Sequence, residues 1–419
     1  LKEMKDSHSQ IIEQCPITVR EIIPETKSQS VNNREAMKGY NEETTRVERE
    51  WRKKAFWDYE TGVAGARKGL EEAKVELKEL AKELKEKQRL CMLFEFPEAI
   101  ADSEARVEWL TNSIDNATVL WDIAEESQEF ITDAKQLLWS EVHAEGLEDD
   151  TKAFIKRVKA LDKEVRWSRA FVGLDGEIKA FLITCPLIQA LHHDSMRSRH
   201  WQMLKDTTGK EFTPPPEDPT MVLGGILDLK LHEFSADVEE IADQAIKEEK
   251  IEVGLQKLDE YWTEVKWWSE PYKSTDVPMV KMVEEDFEAL ENDQMTVQGM
   301  LASRFVVQFE ELTNKWHHRL GMVSDILVVF GDIQRMWSYL EPLFIGSEEV
   351  RKELPETAII FTKLDAVVRQ ILYDAKKTDF IVEACNKEGL LPLCEEQMGL
   401  LETCKKALND FLDGRRRQS

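Results

Sequence analysis

The chain has 419 residues, a formal net charge of -26, 42% hydrophobic and 33% charged residues, and only 18 Gly and 13 Pro. So little turn chemistry excludes a β-rich fold, while abundant Glu, Lys, Leu and Ala favour long helices. The negative field repels phosphate backbones and anionic lipid, which argues against broad nucleic-acid or membrane-surface binding.

Residues 1–45 are polar, with Pro16, Pro24 and a Ser/Asn-rich patch at Ser28–Asn33, and read as a connector between helical units. Residues 46–91 are highly charged. Leu70, Leu77, Leu84 and Cys91 recur every seventh position, with Ala73 and Leu80 between them. This spacing fits a heptad seam, but Lys87 breaks it, so an ordinary amphipathic helix in a bundle is the better reading. Between 92 and 200, Trp109, Leu110, Ile114, Leu120, Trp121 and Ile123 fall at helical spacing, as do Phe154, Ile155, Val158, Leu161 and Val165. Aromatic stripes of this kind are core positions.

Thr213–Thr220 holds Pro214, Pro215, Pro216 and Pro219, which no helix can continue through. It is either a domain boundary or a stiff turn within one array. Val222–Leu231 is readable as a short strand or a helix entry, loosened by Gly224 and Gly225. Val238, Ile241, Ala245 and Ile246 start a helical face that Leu255, Leu258, Trp262 and Val265 carry on. Trp267, Trp268, Pro271 and Pro278 mark a turn compatible with a small hairpin. Long helices resume from about Phe287 to Leu340 and end at Glu341-Pro342 and Gly346-Ser347. Two more run over roughly Glu356–Lys376 and Leu390–Leu412. The expected architecture is all-α, an elongated array of helical bundles and hairpins that admits one small β-hairpin. No apolar run reaches membrane-spanning length; even Ala180–Leu191 is short and contains Pro186.

Motifs that carry chemistry are missing. Gly209-Lys210 is followed by Glu211, and position 204 is Leu, so there is no phosphate-binding P-loop; GxGxxG, HExxH and GxSxG are absent too. His192, His193 and His200, with Asp194 nearby, read as surface or packing residues rather than a metal site. His317 and His318 point different ways on a helix. None of the six cysteines, Cys15, Cys91, Cys185, Cys385, Cys394 and Cys404, forms a CxxC pair, and the last three are spaced wrongly for zinc. A reduced compartment is the simpler expectation. Arg415, Arg416 and Arg417 read as a solvated chain end. No catalytic, cofactor-binding or metal residues are expected, which leaves a mechanical or interaction role.

Several ordered segments point to a family. MRSRHWQMLKDTTGKEF at Met196–Phe212 resembles the M-R-x-R-H-W…T-G-x-x-F signature of the linker region of dynein heavy chains. LDLKLHEFSADVE at 227–239, IADQAIKEEKIEVGLQKLDEYW at 241–262 and LENDQMTVQGMLASRFVVQF at 290–309 resemble its following stretches. Trp316 and IQRMWSYLEPLFIGSEEVRKELP at 333–355 resemble its Q-R-x-W…F-x-G-S run, and QRLCMLFEFP at 88–97 resembles the start of that region. The resemblance covers roughly 88–412 and looks more axonemal than cytoplasmic. Its signature positions here are Arg199, His200, Trp201, Gln334, Arg335, Trp337, Gly346 and Ser347. Phe330-Gly331-Asp332 departs from the pattern, because the family tends to place a large apolar residue just before Q-R-x-W; this leaves the local helix packing open.

The resemblance implies a division into 1–87, a helical connector at the end of the tail; 88–213, the first linker bundles; 214–345, a middle bundle; and 346–419, helices leading toward an AAA+ ring. It also implies a lever that bends with the nucleotide cycle, with ATP and Mg held in that ring rather than in these residues. Implied partners are the ring of the same heavy chain, dynein intermediate and light chains or neighbouring heavy chains through the tail, and microtubules only indirectly, with the axoneme of a cilium or flagellum as location. Residues 213–220 and 341–347 are hinge candidates, and Trp267, Trp268 and Tyr272 are candidate ring contacts, expected on an exposed surface. A spectrin-like scaffold that only binds protein partners is the competing reading.

Overall fold

A run of residues that alternates apolar and charged groups with a 3.6-residue period buries one stripe per helix and solvates the rest. The computed structural model describes residues 2–418 and follows that rule almost throughout. It divides at 242/243 into two units.

The N-terminal unit begins with α1 (Lys2–Trp51), α2 (Gly62–Leu93) and α3 (Ala101–Lys135). Residues 1–45, expected to be a connector, are therefore helical from Lys2 onward, and Pro16 and Pro24 lie inside α1. The heptad-spaced Leu70, Leu77, Leu84 and Cys91 face inward on α2, which packs along α3 as one member of a bundle. Next come α4 (Ala144–Lys159), α5 (Arg169–Leu191, with Pro186 inside), α6 (Ser198–Thr208) and the short α7 (Leu223–Leu227). Val222–Leu231 thus opens a helix, although Val222 itself forms a bridge with Leu138. The core is rich in indoles. The Trp51 Nε1–H donates to Ser113 Oγ at 3.1 Å, that of Trp57 to the Trp51 carbonyl at 3.1 Å, and that of Trp121 to the Phe56 carbonyl at 2.8 Å. Each ring therefore supplies a large apolar area without leaving its N–H unsatisfied.

Helix α8 (Ser235–Trp262) contains the division. The C-terminal unit continues with strands β1 (Trp268–Pro271) and β2 (Pro278–Lys281), which form the small antiparallel hairpin the prolines suggested. Helices α9 (Glu284–Ala302), α10 (Glu310–Phe344), α11 (Glu348–Glu353), α12 (Pro355–Thr378), α13 (Ile381–Cys385) and α14 (Leu390–Gln418) complete it. Helix α10 is central, packing against α9, α12, α13 and α14. Its buried stripe runs Trp316, Leu320, Val323, Ile326, Phe330, Ile333, Trp337, Leu340 and Phe344 in steps of three and four. Gly331 does not interrupt this helix. No described helix is long and apolar enough to cross a membrane.

Candidate functional site

The resemblance-derived residues gather in two places, one in each unit. In the N-terminal unit, Arg197 is the N-cap of α6. Helix starts leave backbone N–H groups unpartnered. Here the His200 Nδ1 accepts from the Arg197 N–H at 2.9 Å, and this fixes the entry turn. Trp201 is buried one residue further on, edge-on to Trp139 at 5.8 Å and to Phe212 at 6.3 Å between ring centres. The segment carrying Trp139 is stitched to the far end of the proline-rich turn: Trp139 N–H donates to the Met221 carbonyl at 2.9 Å, and Leu223 N–H to that of Leu137 at 2.7 Å. The three histidines have separate duties. The His192 Nε2 meets the Trp139 carbonyl at 2.7 Å, while the His193 Nδ1 closes a turn with Ser195. No group of three or more His, Cys, Asp or Glu among the described residues is arranged to hold a metal.

In the C-terminal unit the signature residues build a mount for the hairpin. A two-stranded sheet is marginal alone and must be supported by its surroundings. Gln334, on α10 and buried, grips the outer edge of β2 with both ends of its amide. Its Oε1 accepts from the Val280 N–H at 2.8 Å and its Nε2 donates to the Val280 carbonyl at 2.9 Å. Pro278, on the same strand, has no N–H to offer, so this edge is closed to further pairing. The approach to β1 is tied elsewhere. Trp267 N–H donates to the Asp379 carbonyl at 3.0 Å and Ile381 N–H to that of Val265 at 3.0 Å, across the Lys266–Phe380 bridge.

One turn beyond Gln334, Trp337 is completely buried. Its ring lies 4.6 Å from that of Tyr272, at the end of β1, and its Nε1–H donates to Asp365 Oδ1 on α12 at 2.8 Å. Asp365 also accepts from Arg369 Nε at 3.0 Å. The Arg369 guanidinium sits 5.2 Å from the Trp337 ring centre and 3.5 Å from Glu341, which in turn accepts from the Tyr272 hydroxyl at 3.3 Å. Tyr373 Oη reaches Asp276 in the hairpin loop at 2.8 Å, and the carboxylate pushes that phenol's pKa up. The arrangement is a polar network around one indole, in which Arg369 stands between the carboxylates of Asp365 and Glu341. Arg335 takes no part in it; it points to solvent and pairs with Asp332 on its own helix.

Gly346 and Ser347 form the corner after α10. A Cβ on residue 346 would lie 2.5 Å from the Pro342 carbonyl oxygen, so only glycine passes here without a backbone shift. Ser347 Oγ then accepts from Val350 N–H at 3.4 Å to cap α11.

The three aromatic residues near the hairpin divide. Trp267 and Tyr272 are buried, against the exposure expected for them; Trp267 stacks on Phe330 at 5.7 Å and Tyr272 on Trp337. Packing against α10 claims both rings, the first by stacking and the second at a tilt of 55°. Trp268 alone is open, at 41% exposure, with Lys281 Nζ 4.2 Å above its face. A cleft of about 370 Å³ opens beside it, lined by Trp268, Met279, Phe287, Leu327, Phe330 and Arg335 among others. Asp365, Arg369, Glu341 and Tyr373 escaped the sequence reading. The i, i+4 spacing of Asp365 and Arg369 was their one visible signal, and it is common on solvated helices.

Cys385, Cys394 and Cys404 are buried in the C-terminal core. Burial pushes the Cys394 thiol up to about 12 and that of Cys404 to about 11, and raises Cys385 as well. Such thiols pack as small apolar groups.

The sequence profile of the family described as "Dynein heavy chain, N-terminal region 2" matches residues 107–419. Among relatives, the "Dynein alpha chain, flagellar outer arm" of Chlamydomonas reinhardtii is 40% identical over 368 residues, 88% of this chain and 8% of that protein. The "Dynein beta chain, ciliary" of Heliocidaris crassispina is 34% identical over 71% of this chain and 7% of its own length. "Dynein axonemal heavy chain 17" of Homo sapiens is 33% identical with the same coverage. The chain spans less than a tenth of the length of each of these relatives.

Proposed function

The chain belongs to the dynein heavy chain family, and from that premise we propose that it is the linker and late-tail segment of an axonemal heavy chain. In this reading it transmits ATP-driven change from the AAA+ ring of the same polypeptide to the tail, and microtubules are met only through other parts of the motor. The segment itself does no chemistry. ATP and Mg belong to the ring, and the tail end meets intermediate or light chains or a neighbouring heavy chain.

The observation that carries the reading is the hairpin mount. A lever has to pass force without dissipating it in local bending, and packed cores resist deformation. Gln334 and Trp337, two of the family signature residues, tie the hairpin to α10 and α12 through directional bonds and a buried ring. Trp268 and its cleft are the exposed part of that mount, which makes them the ring contact in this proposal.

The first test is the size and location of the native polypeptide. An antibody raised to these residues should detect, in ciliated cells, a band far above 48.6 kDa that is enriched in axonemes. A band near 48.6 kDa, present equally in non-ciliated cells, favours the free-standing scaffold and rejects the motor reading.

A further inference from the structure

Trp268 is not alone in facing water. Of the twelve tryptophans, it and Trp167 are exposed, while the others among the described residues are buried or half-buried. Trp167 is the more open of the two, at 47%. Its place is fixed. It stands between a 3₁₀ turn, Lys163–Val165, and the start of α5. Asp162 caps the turn by accepting from the Glu164 N–H at 2.9 Å, and Val165 is sunk in the core. The buried Ser168 Oγ then accepts from the Phe171 N–H at 3.1 Å to cap α5. Trp57 backs the Trp167 ring at 5.2 Å between centres. An indole held open on a rigid turn costs little to order when a partner arrives.

The surroundings of this ring are cationic, in a chain whose net charge is -26. Between 152 and 169 there are seven Lys and Arg against two acids, Asp162 and Glu164. Lys152, Arg157 and Arg169 pair with Glu148, Glu126 and Asp58. Lys156, Lys159, Lys163 and Arg166 are exposed, and none has a carboxylate within ion-pair distance among the described residues. The Arg166 guanidinium donates to the Lys159 and Leu161 carbonyls at 3.0 and 3.4 Å, which folds the connection back on the end of α4 and gathers these cations. From the turn after α1, Arg52 places its guanidinium 5.7 Å from the Trp167 ring centre and 5.6 Å from that of Trp109. A helix C-terminus favours cations, which accounts for Lys156 and Lys159. It does not account for Lys163 and Arg166, beyond the end of α4, or for the open indole next to them.

We propose that Trp167 and the cations around it form a docking surface for a short acidic polypeptide segment of a partner, which lays an apolar or aromatic side chain on the indole and carboxylates over Lys163 and Arg166. This surface is separate from the hairpin and its cleft, and it does not depend on the motor reading. Composition, charge and extent define the occupant. Tryptophan and arginine are enriched at the energetic centres of protein interfaces. Carboxylates supply the anions that the free cations lack, through charge-assisted hydrogen bonds. Asp58, Asp162 and Glu164 border the patch. A nucleic-acid backbone or an anionic membrane would spread its charge over these acids too, whereas a short segment with spaced carboxylates avoids them.

The experiment follows acetylation of Lys159 and Lys163 by N-hydroxysulfosuccinimide acetate in the purified native polypeptide, residue by residue, by peptide mass spectrometry. The probe is a peptide of glutamates with one central phenylalanine, compared with the same peptide carrying glycine there. At low salt the phenylalanine peptide should slow labelling of both lysines at least about fivefold, and the glycine peptide should slow it less. Trp167→Ala should erase the difference between the two peptides. Lys163→Glu should abolish protection of Lys159, whereas Lys363→Glu, an exposed position in the C-terminal unit, should leave it intact. Labelling that neither peptide slows, or protection that survives Lys163→Glu, overturns the docking surface. Equal protection by the two peptides overturns the part given to the indole. A DNA duplex or phosphatidylserine vesicles that protect the lysines as well as the phenylalanine peptide overturn the acidic segment as occupant. The size of the native polypeptide, which decides the motor reading, changes none of these outcomes.

Discussion

His200 and Trp201 stand at the beginning of a helix in the N-terminal unit, whereas Gln334 and Trp337 stand in the second half of one in the C-terminal unit. In sequence both pairs read as a polar residue followed by tryptophan within an amphipathic run. Their physical tasks differ. His200 satisfies one backbone N–H at the first turn of its own helix, a local duty that a capping side chain performs in many proteins. Gln334 satisfies the N–H and the carbonyl of a residue 54 positions away, on the outer edge of β2. The tryptophans differ in the same direction. Trp201 packs edge-on between two rings, while Trp337 organises Tyr272, Asp365, Arg369 and Glu341 around itself. The N-terminal cluster holds its own neighbourhood in shape; the C-terminal cluster holds a separate element in place.

The comparison breaks most sharply at Trp337. Trp337→Ala removes a fully buried ring and strands the Asp365 carboxylate beside Arg369, so thermal or denaturant unfolding of the C-terminal unit should record a loss of about 3–5 kcal/mol. A loss below about 1 kcal/mol would mean the ring is not a keystone. Gln334→Ala should cost about 1–3 kcal/mol, because the Val280 N–H and carbonyl lose their partner. Its signature is local: amide exchange at Val280 should accelerate while that of α14 stays protected. His200→Ala in the N-terminal unit should cost at least about 1 kcal/mol, with faster exchange at the α6 entry turn and none in the hairpin. Arg335→Ala should change stability by less than about 0.5 kcal/mol despite its place in the same motif, since its ion pair with Asp332 is solvent-exposed. A larger effect from Arg335 than from Gln334 would reverse the ranking on which the hairpin mount rests.

The helices themselves were legible because amphipathic periodicity is written locally. The α10 stripe, the inward face of α2 and the hairpin between Pro271 and Pro278 all follow from spacing and turn chemistry. The first 45 residues misled because Pro16 and Pro24 were weighed as helix breakers; inside a helix each proline removes one hydrogen bond without stopping the chain, and α1 runs through both. The mount was legible only in part. The family resemblance flagged Gln334 and Trp337, but nothing local reveals that a glutamine amide spans to Val280 or that Asp365, on another helix, holds an indole. These are long-range pairings, set by how α10 and α12 come together. Exposure misled too. Trp267 and Tyr272 flank turn residues and look solvated in sequence, yet α10 offers Phe330 and Trp337 to cover them.

The most direct test of the lever asks whether loosening the hairpin uncouples movement from ATP use. In an intact heavy chain carrying Gln334→Ala, microtubule gliding velocity and ATP turnover are measured on the same preparation. The account predicts that velocity falls while ATP turnover persists, because force is lost between ring and tail rather than at the nucleotide. Velocity and turnover that both stay unchanged, or that fall in equal proportion, would contradict it.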